Sequence, residues 1–142
     1  MVKKVVVYAA IAAVVVFGAL QLVPYGRDHT NPPVTAEPAW DSPQTRALAQ
    51  RACFDCHSNE TIWPWYSHIA SVSWMLYKHV VDGRAELNFS HWAEKSKRGR
   101  KLGEVVAEGQ MPLPQYLLLH PEARLTVAEK QQLIAGFQKT AL

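Results

Sequence analysis

Apolar residues fall along this chain in three patterns, and each predicts a different kind of segment. Residues 5–23 are an apolar run of nineteen positions without a charge and with one strongly polar side chain, Gln21. At about 1.5 Å of helical rise per residue, that run just spans the hydrocarbon core of a bilayer. Residues 24–43 hold five prolines mixed with Gly26, Asp28, Thr30, Asn31 and Ser42, which serves neither helix nor sheet and predicts an extended linker. From Ser42 onward the spacing turns helical. Ser42 and Pro43 make an N-cap and first turn, and Leu48 with Ala52 continues at i, i+4. A second helix is expected over residues 69–82, with Ile69, Val72, Leu76 and Val80 as its stripe and Gly83 as its stop. A third is expected from Ser90 to Glu108, broken near Gly99 and Gly103. The fourth opens on a Thr126 and Glu129 capping box and buries Leu133, Ile134 and Phe137. No run alternates like a half-buried strand. The expected fold is all-α: a single N-terminal transmembrane helix (1–23), a proline-rich linker (24–43) and a small helical domain (44–142).

Charge refines the first segment. The chain carries a formal +3, of which Lys3 and Lys4 at the head of the apolar run supply two. A cleaved signal would have a shorter apolar region and a small-x-small site after it; Leu20-Gln21-Leu22-Val23-Pro24-Tyr25 offers none, so an uncleaved anchor is favoured. Lys3 and Lys4 then stay in the cytoplasm. The expected location is the inner membrane of a bacterial cell, with the domain facing the periplasm. The rest of the chain is nearly neutral, which argues against a nucleic-acid partner. One basic cluster remains, Lys95, Lys97, Arg98, Arg100 and Lys101. It could steer an acidic redox partner, or be a solvated helix face.

The chain has two cysteines, both in the stretch Cys53-Phe54-Asp55-Cys56-His57. Thiols at i and i+3 of a helical turn face the same way and match the two vinyl groups of one porphyrin; the next histidine can reach the iron. The expected cofactor is one haem c, attached through Cys53 and Cys56, with His57 on the iron. Three rival readings share the cysteines. A thioredoxin-like dithiol needs a βαβ context that is missing. A zinc finger needs two further ligands at close spacing, whereas His68 and His79 lie too far along. An incidental thiol pair would oxidise in an exported domain.

The other face of the iron takes a methionine or a second histidine in an electron carrier. The candidates are Met75, Met111, His68, His79, His91 and His120, with His29 set apart in the linker. Met111 is preferred: it lies 54 residues after His57, beyond a helix end and ahead of Pro112, and a loop methionine can approach from the open side. Met75 and His79 share a helical face and could be core and hydrogen-bonding residues instead, while His68 is the best substitute. Trp63, Trp65, Tyr66, Trp74, Tyr77 and Trp92 could wall the haem edge or form ordinary aromatic core. The Pro64 carbonyl is expected to accept the His57 Nδ1 proton.

Cys53 to Ser58, Trp63-Pro64-Trp65-Tyr66-Ser67, His79-Val80, Gly83-Arg84, Leu87-Asn88-Phe89-Ser90, Trp92, Met111-Pro112-Leu113-Pro114 and His120-Pro121 together resemble the bacterial haem-binding domain family. These are small exported or membrane-anchored domains, similar to cytochrome c. The resemblance covers about residues 45–140. It implies a helical domain wrapped around one c-type haem, with Cys53, Cys56 and His57 as above and Met111 distal. Ser71 departs from a position where proline is frequent, which leaves the start of the second helix open. The expected function is a monohaem c-type cytochrome, a one-electron carrier and not an enzyme, with redox proteins and the membrane as partners. The alternatives are a haem-based sensor or gas-binding module, and a peroxidase-like enzyme in which His68 or His79 would serve an open distal side.

Overall fold

The computed structural model describes residues 1–92 and 98–140. Five α-helices carry the fold: α1 (Val2–Leu20), α2 (Pro43–His57), α3 (Val72–Glu86), α4 (Arg98–Ala107) and α5 (Val127–Lys139). Single 3-10 turns stand at Trp65–His68, Tyr116–Leu118 and Pro121–Ala123. Helix makes up 60% of the described residues. The β features among the described residues are isolated bridge residues, with Ala36 paired to His91. The all-α expectation holds. Two compact units emerge, one of Met1–Thr30 with Trp63–His79, the other of Asn31–Ile62 with Val80–Leu142.

In the first unit α1 is long and apolar enough to cross a membrane, and none of its residues is buried. Its end is not loose. The Gln21 amide holds the backbone of one residue at both ends: Oε1 accepts from the Ala70 N–H and Nε2 donates to the Ala70 carbonyl, each at 3.0 Å. Gly26, at φ +76°, passes so close to α3 that a Cβ there would sit 2.7 Å from the Ser73 carbonyl oxygen. Tyr25 meets Tyr77 edge-on at 5.4 Å, and His29 stacks on Trp63 at 4.3 Å.

The second unit is built around Phe89, which is 1% exposed. Its ring packs against Trp40 at 5.2 Å, Phe54 at 5.5 Å, Trp92 at 6.0 Å and Phe137 at 6.2 Å. Leu48, Leu87, Val106 and Leu133 complete this core. The helix ends are set as the local sequence predicts. Ser42 Oγ accepts from the Thr45 N–H at 3.2 Å, and Thr126 and Glu129 form the full capping box.

Three expectations are corrected. The proline-rich segment is extended, but from Asn31 onward it belongs to the second unit rather than acting as a free tether. The cause is Trp40, whose ring joins the core while its Nε1 donates to Glu37 Oε2 at 2.9 Å; Arg46 holds the same carboxylate at 2.6 and 2.8 Å. The second helix starts at Val72 and runs through Gly83 to Glu86. Gly83 is a point of close approach, not a stop. The third helix does not begin at Ser90: the Ser90 carbonyl accepts from the Thr35 and Ala36 N–H groups, and the Trp92 N–H donates to the Ala36 carbonyl. That pairing lays His91 and Trp92 along the linker, after a turn at Phe89 and Ser90. Helix α4 is continuous through Gly99 and Gly103. Of the basic cluster, Lys95, Lys97 and the side chains of Arg98 and Arg100 lie outside the described residues.

Gly136 lets α5 lie against α2. A Cβ there would meet Thr45 Oγ1 and stand 2.6 Å from Thr45 Cγ2, in a spot where Thr45 is 1% exposed. Gly136→Ala should therefore lower stability by about 1–3 kcal/mol, the usual scale of overpacking. A urea titration of the protein in detergent reads this as a lower midpoint; an unchanged midpoint would show that the two helices can separate freely.

Candidate haem site

The last turn of α2 carries Cys53, Cys56 and His57, and α3 crosses it at Gly83. A Cβ on Gly83 would collide with the Cys56 carbonyl oxygen and stand 3.1 Å from its carbon, so only glycine permits this approach. The approach positions His57. Its Nδ1 lies 2.9 Å from the Gly83 carbonyl oxygen and 3.2 Å from that of Leu87. Carbonyls only accept, so Nδ1 is the protonated nitrogen and Nε2 keeps a lone pair for a metal. The Pro64 carbonyl, expected to take this proton, is occupied by the backbone and side chain of Ser67. The sequence signal for the true acceptor was Gly83 itself, a glycine inside a helical pattern.

The residues around the motif are fixed in turn. The Phe89 N–H donates to the His57 carbonyl at 2.7 Å, which ties the core's central ring to the same turn. Arg84 donates to the Ser58 carbonyl at 2.8 Å and to Thr61 Oγ1 at 2.9 Å, bracing the loop that follows. Asp55, inside the motif, accepts from the Tyr116 hydroxyl at 2.6 Å and from the Ile62 N–H at 2.9 Å. Burial and the Asp55 carboxylate push the Tyr116 phenol far up, so it stays a donor. No spacing rule linked Tyr116 to the motif, because the pair is 61 residues apart.

Cys53 and His57 line a cavity of about 220 Å³ with the apolar side chains of Leu87, Phe89, Leu102, Val105, Val106 and Phe137 and with Glu86, Gln110 and Met111. Met111 arrives there because Gly109, at φ +72°, turns the chain back beyond α4. Gln110 and Met111 then bond to the Val105 carbonyl at 3.0 and 3.3 Å. Of the distal candidates, Met111 is the one that shares this cavity with His57. His91 is engaged with Thr35 Oγ1 at 2.8 Å, and His120 lies flat on Tyr116 with Nδ1 on the Tyr116 carbonyl. Met75, His68 and His79 belong to the first unit, as do Trp63, Pro64 and Trp65.

Burial in apolar surroundings pushes the Cys53 thiol up to about 12, with the neighbouring Cys56 adding to it. Burial and Asp55 push Cys56 up to about 11 against the pull of Arg84. A redox-active dithiol needs the opposite shift. Nor does any group of three or more His, Cys, Asp and Glu capable of holding a metal ion occur among the described residues, which leaves the finger reading without ligands. An apolar slot lined by the Cys53 thiol, an oriented imidazole and the Met111 thioether, with the unbridged Cys56 in the same helical turn, fits a haem. The buried Trp92 Nε1, without a partner among the described residues, adds a spare donor beside the Phe89 wall.

The haem-binding domain family matches residues 15–139. The chain belongs to that family and is a haem-binding domain. Neither the curated proteins nor the solved structures contain a match to it.

The thiol shifts give a test on the haem-free chain. A thiol reacts as its thiolate, and these thiols ionise only as the pH climbs toward about 11 and 12. Iodoacetamide at pH 8 should therefore label both at least about tenfold more slowly in the folded chain than in urea, where the pKa returns to about 8.5. Equal rates folded and unfolded would mean that the cavity does not shield them.

Proposed function

We propose that this chain is a monohaem c-type cytochrome that carries single electrons on the outer face of a membrane. The observation that carries the reading is the shared cavity: Cys53, His57 and Met111 converge on one apolar slot. In the proposed site Cys53 and Cys56 form the thioether links, His57 supplies Nε2 and Met111 supplies its sulfur. A haem bound there supplies a one-electron couple at its iron. Gly83 and Leu87 hold the imidazole in one tautomer and orientation, which raises its basicity as a ligand. The hydrocarbon walls keep water from the slot.

A sensor or peroxidase would want a vacant distal position, the latter with an acid or base beside it. The Met111 thioether and the aliphatic side chains of Leu102, Val105 and Val106 suit neither. For α1, an uncleaved anchor is the better reading: Gln21 and Gly26, just after the helix, are built into the first unit, and the family match begins at residue 15, inside α1. With Lys3 and Lys4 in the cytoplasm, the haem domain faces the opposite side, the periplasm in a bacterium with two membranes.

A redox titration with recorded spectra tests the ligand set and the potential together. Low-spin ferric haem with a methionine-to-iron charge-transfer band is expected. Met111→Ala should abolish the band and lower the potential by on the order of 100 mV, within the ~0.8 V range that axial ligation governs. A high-spin ferric form that readily binds carbon monoxide on reduction would contradict the carrier reading, and an unchanged spectrum would move the distal role to a histidine.

A further inference from the structure

We propose that the first unit rests in the headgroup layer of the bilayer that α1 crosses, and that Trp65 is its exposed aromatic anchor in the lipid. This rests on reading α1 as an uncleaved span. Past Lys3 and Lys4, α1 offers the hydrocarbon its residues 5–20, about 24 Å of helix against a thickness of roughly 30 Å. Gln21 therefore stands within about 6 Å of the level where hydrocarbon gives way to headgroups, a layer about 5–7 Å deep on each side. The two hydrogen bonds of its amide to the Ala70 backbone, each 3.0 Å, bring the 63–79 segment to that same level. The close pass of Gly26 beside Ser73 and the Tyr25 contact with Tyr77 keep α3's first turns there too.

Trp65 is five residues from Ala70, and four of the residues between and including them, Trp65–His68, are coiled in a 3-10 turn. At about 2 Å of rise per residue, that turn keeps Trp65 within roughly 10 Å of the Ala70 peptide. It is 76% exposed, and in the same unit Leu22 is 82%, Tyr25 50% and Met75 48% exposed. Water is a poor solvent for such a set, whereas Trp and Tyr are enriched at the membrane interface, where an apolar ring and a polar N–H or O–H are both satisfied. Charge agrees. Residues 63–79 contain no Asp or Glu, and Asp28 is the one acid of the whole unit, beside Arg27 and Lys78. An anionic lipid surface meets almost nothing that repels it.

The test uses the full-length, haem-loaded protein in vesicles of phosphatidylethanolamine and phosphatidylglycerol. Two variants carry the photoreactive p-benzoylphenylalanine, one as Tyr8→p-benzoylphenylalanine within α1 and one as Trp65→p-benzoylphenylalanine. Both side chains are exposed, and the substituted aromatic ring can keep the edge-on contact that Trp65 makes with Tyr66 at 5.7 Å. After illumination, mass spectrometry should find one lipid added to each variant, on the glycerol or first acyl carbons for position 65. A lipid adduct at position 8 with none at 65, or an adduct of 65 to protein, overturns the interfacial seat and leaves the anchor standing. No lipid adduct at either position overturns the anchor reading and the inference with it.

Discussion

The close approach of α3 to the last turn of α2 is the contact on which the candidate haem site depends. It exists because Gly83 has no Cβ to meet the Cys56 backbone. With the helices that near, the Gly83 and Leu87 carbonyls come within hydrogen-bond distance of His57 Nδ1, and one protonation pattern of the ring follows. The same proximity brings the Phe89 N–H onto the His57 carbonyl. A side chain at position 83 would therefore disturb the thiols, the imidazole and the core together. Each is tied to the others through backbone groups that cannot be adjusted by a change of rotamer.

Phe89 gives that local arrangement its rigidity. Buried aromatic pairs contribute about 0.5–1.5 kcal/mol each beyond the area they bury, and Phe89 has four such neighbours. Two of them, Phe54 and Phe137, come from α2 and α5. Trp40 comes from the extended segment before α2, anchored through Glu37 to Arg46. The bidentate bond to Arg46 holds the Glu37 carboxyl below the usual carboxylate range. This ion pair does more than decorate the surface, because its acceptor also fixes an indole of the core. The wall of the haem cavity and the centre of the hydrophobic core are thus the same side chain.

Much of this was legible in the chain before its fold was known. Ser42 with Pro43 and Thr126 with Glu129 are local signals, and both mark helix starts where they were expected. The Cys53 to His57 motif is local as well, since its chemistry is set by one helical turn. The remaining features depend on distant partners. Gly83 has the same local signature whether it ends a helix or admits a neighbour, and only the position of Cys56 decides. Ser90 looks like a good first residue of a helix until the linker claims its carbonyl. Proline density in residues 24–43 rightly predicted extended backbone, yet it carries no information on whether Trp40 finds a core. The Pro64 carbonyl was near enough in sequence to serve His57, but Ser67 takes it.

The central claim is that the turn bearing Cys53, Cys56 and His57 holds a haem by covalent bonds. The most direct measurement is the mass of the denatured, haem-loaded chain after extraction with acidified organic solvent. The account predicts a chain heavier by one haem, with the label on the peptide containing Cys53 and Cys56, and loss of that label in Cys53→Ala with Cys56→Ala. Haem that passes entirely into the solvent, leaving a chain of unmodified mass with two free thiols, would contradict it.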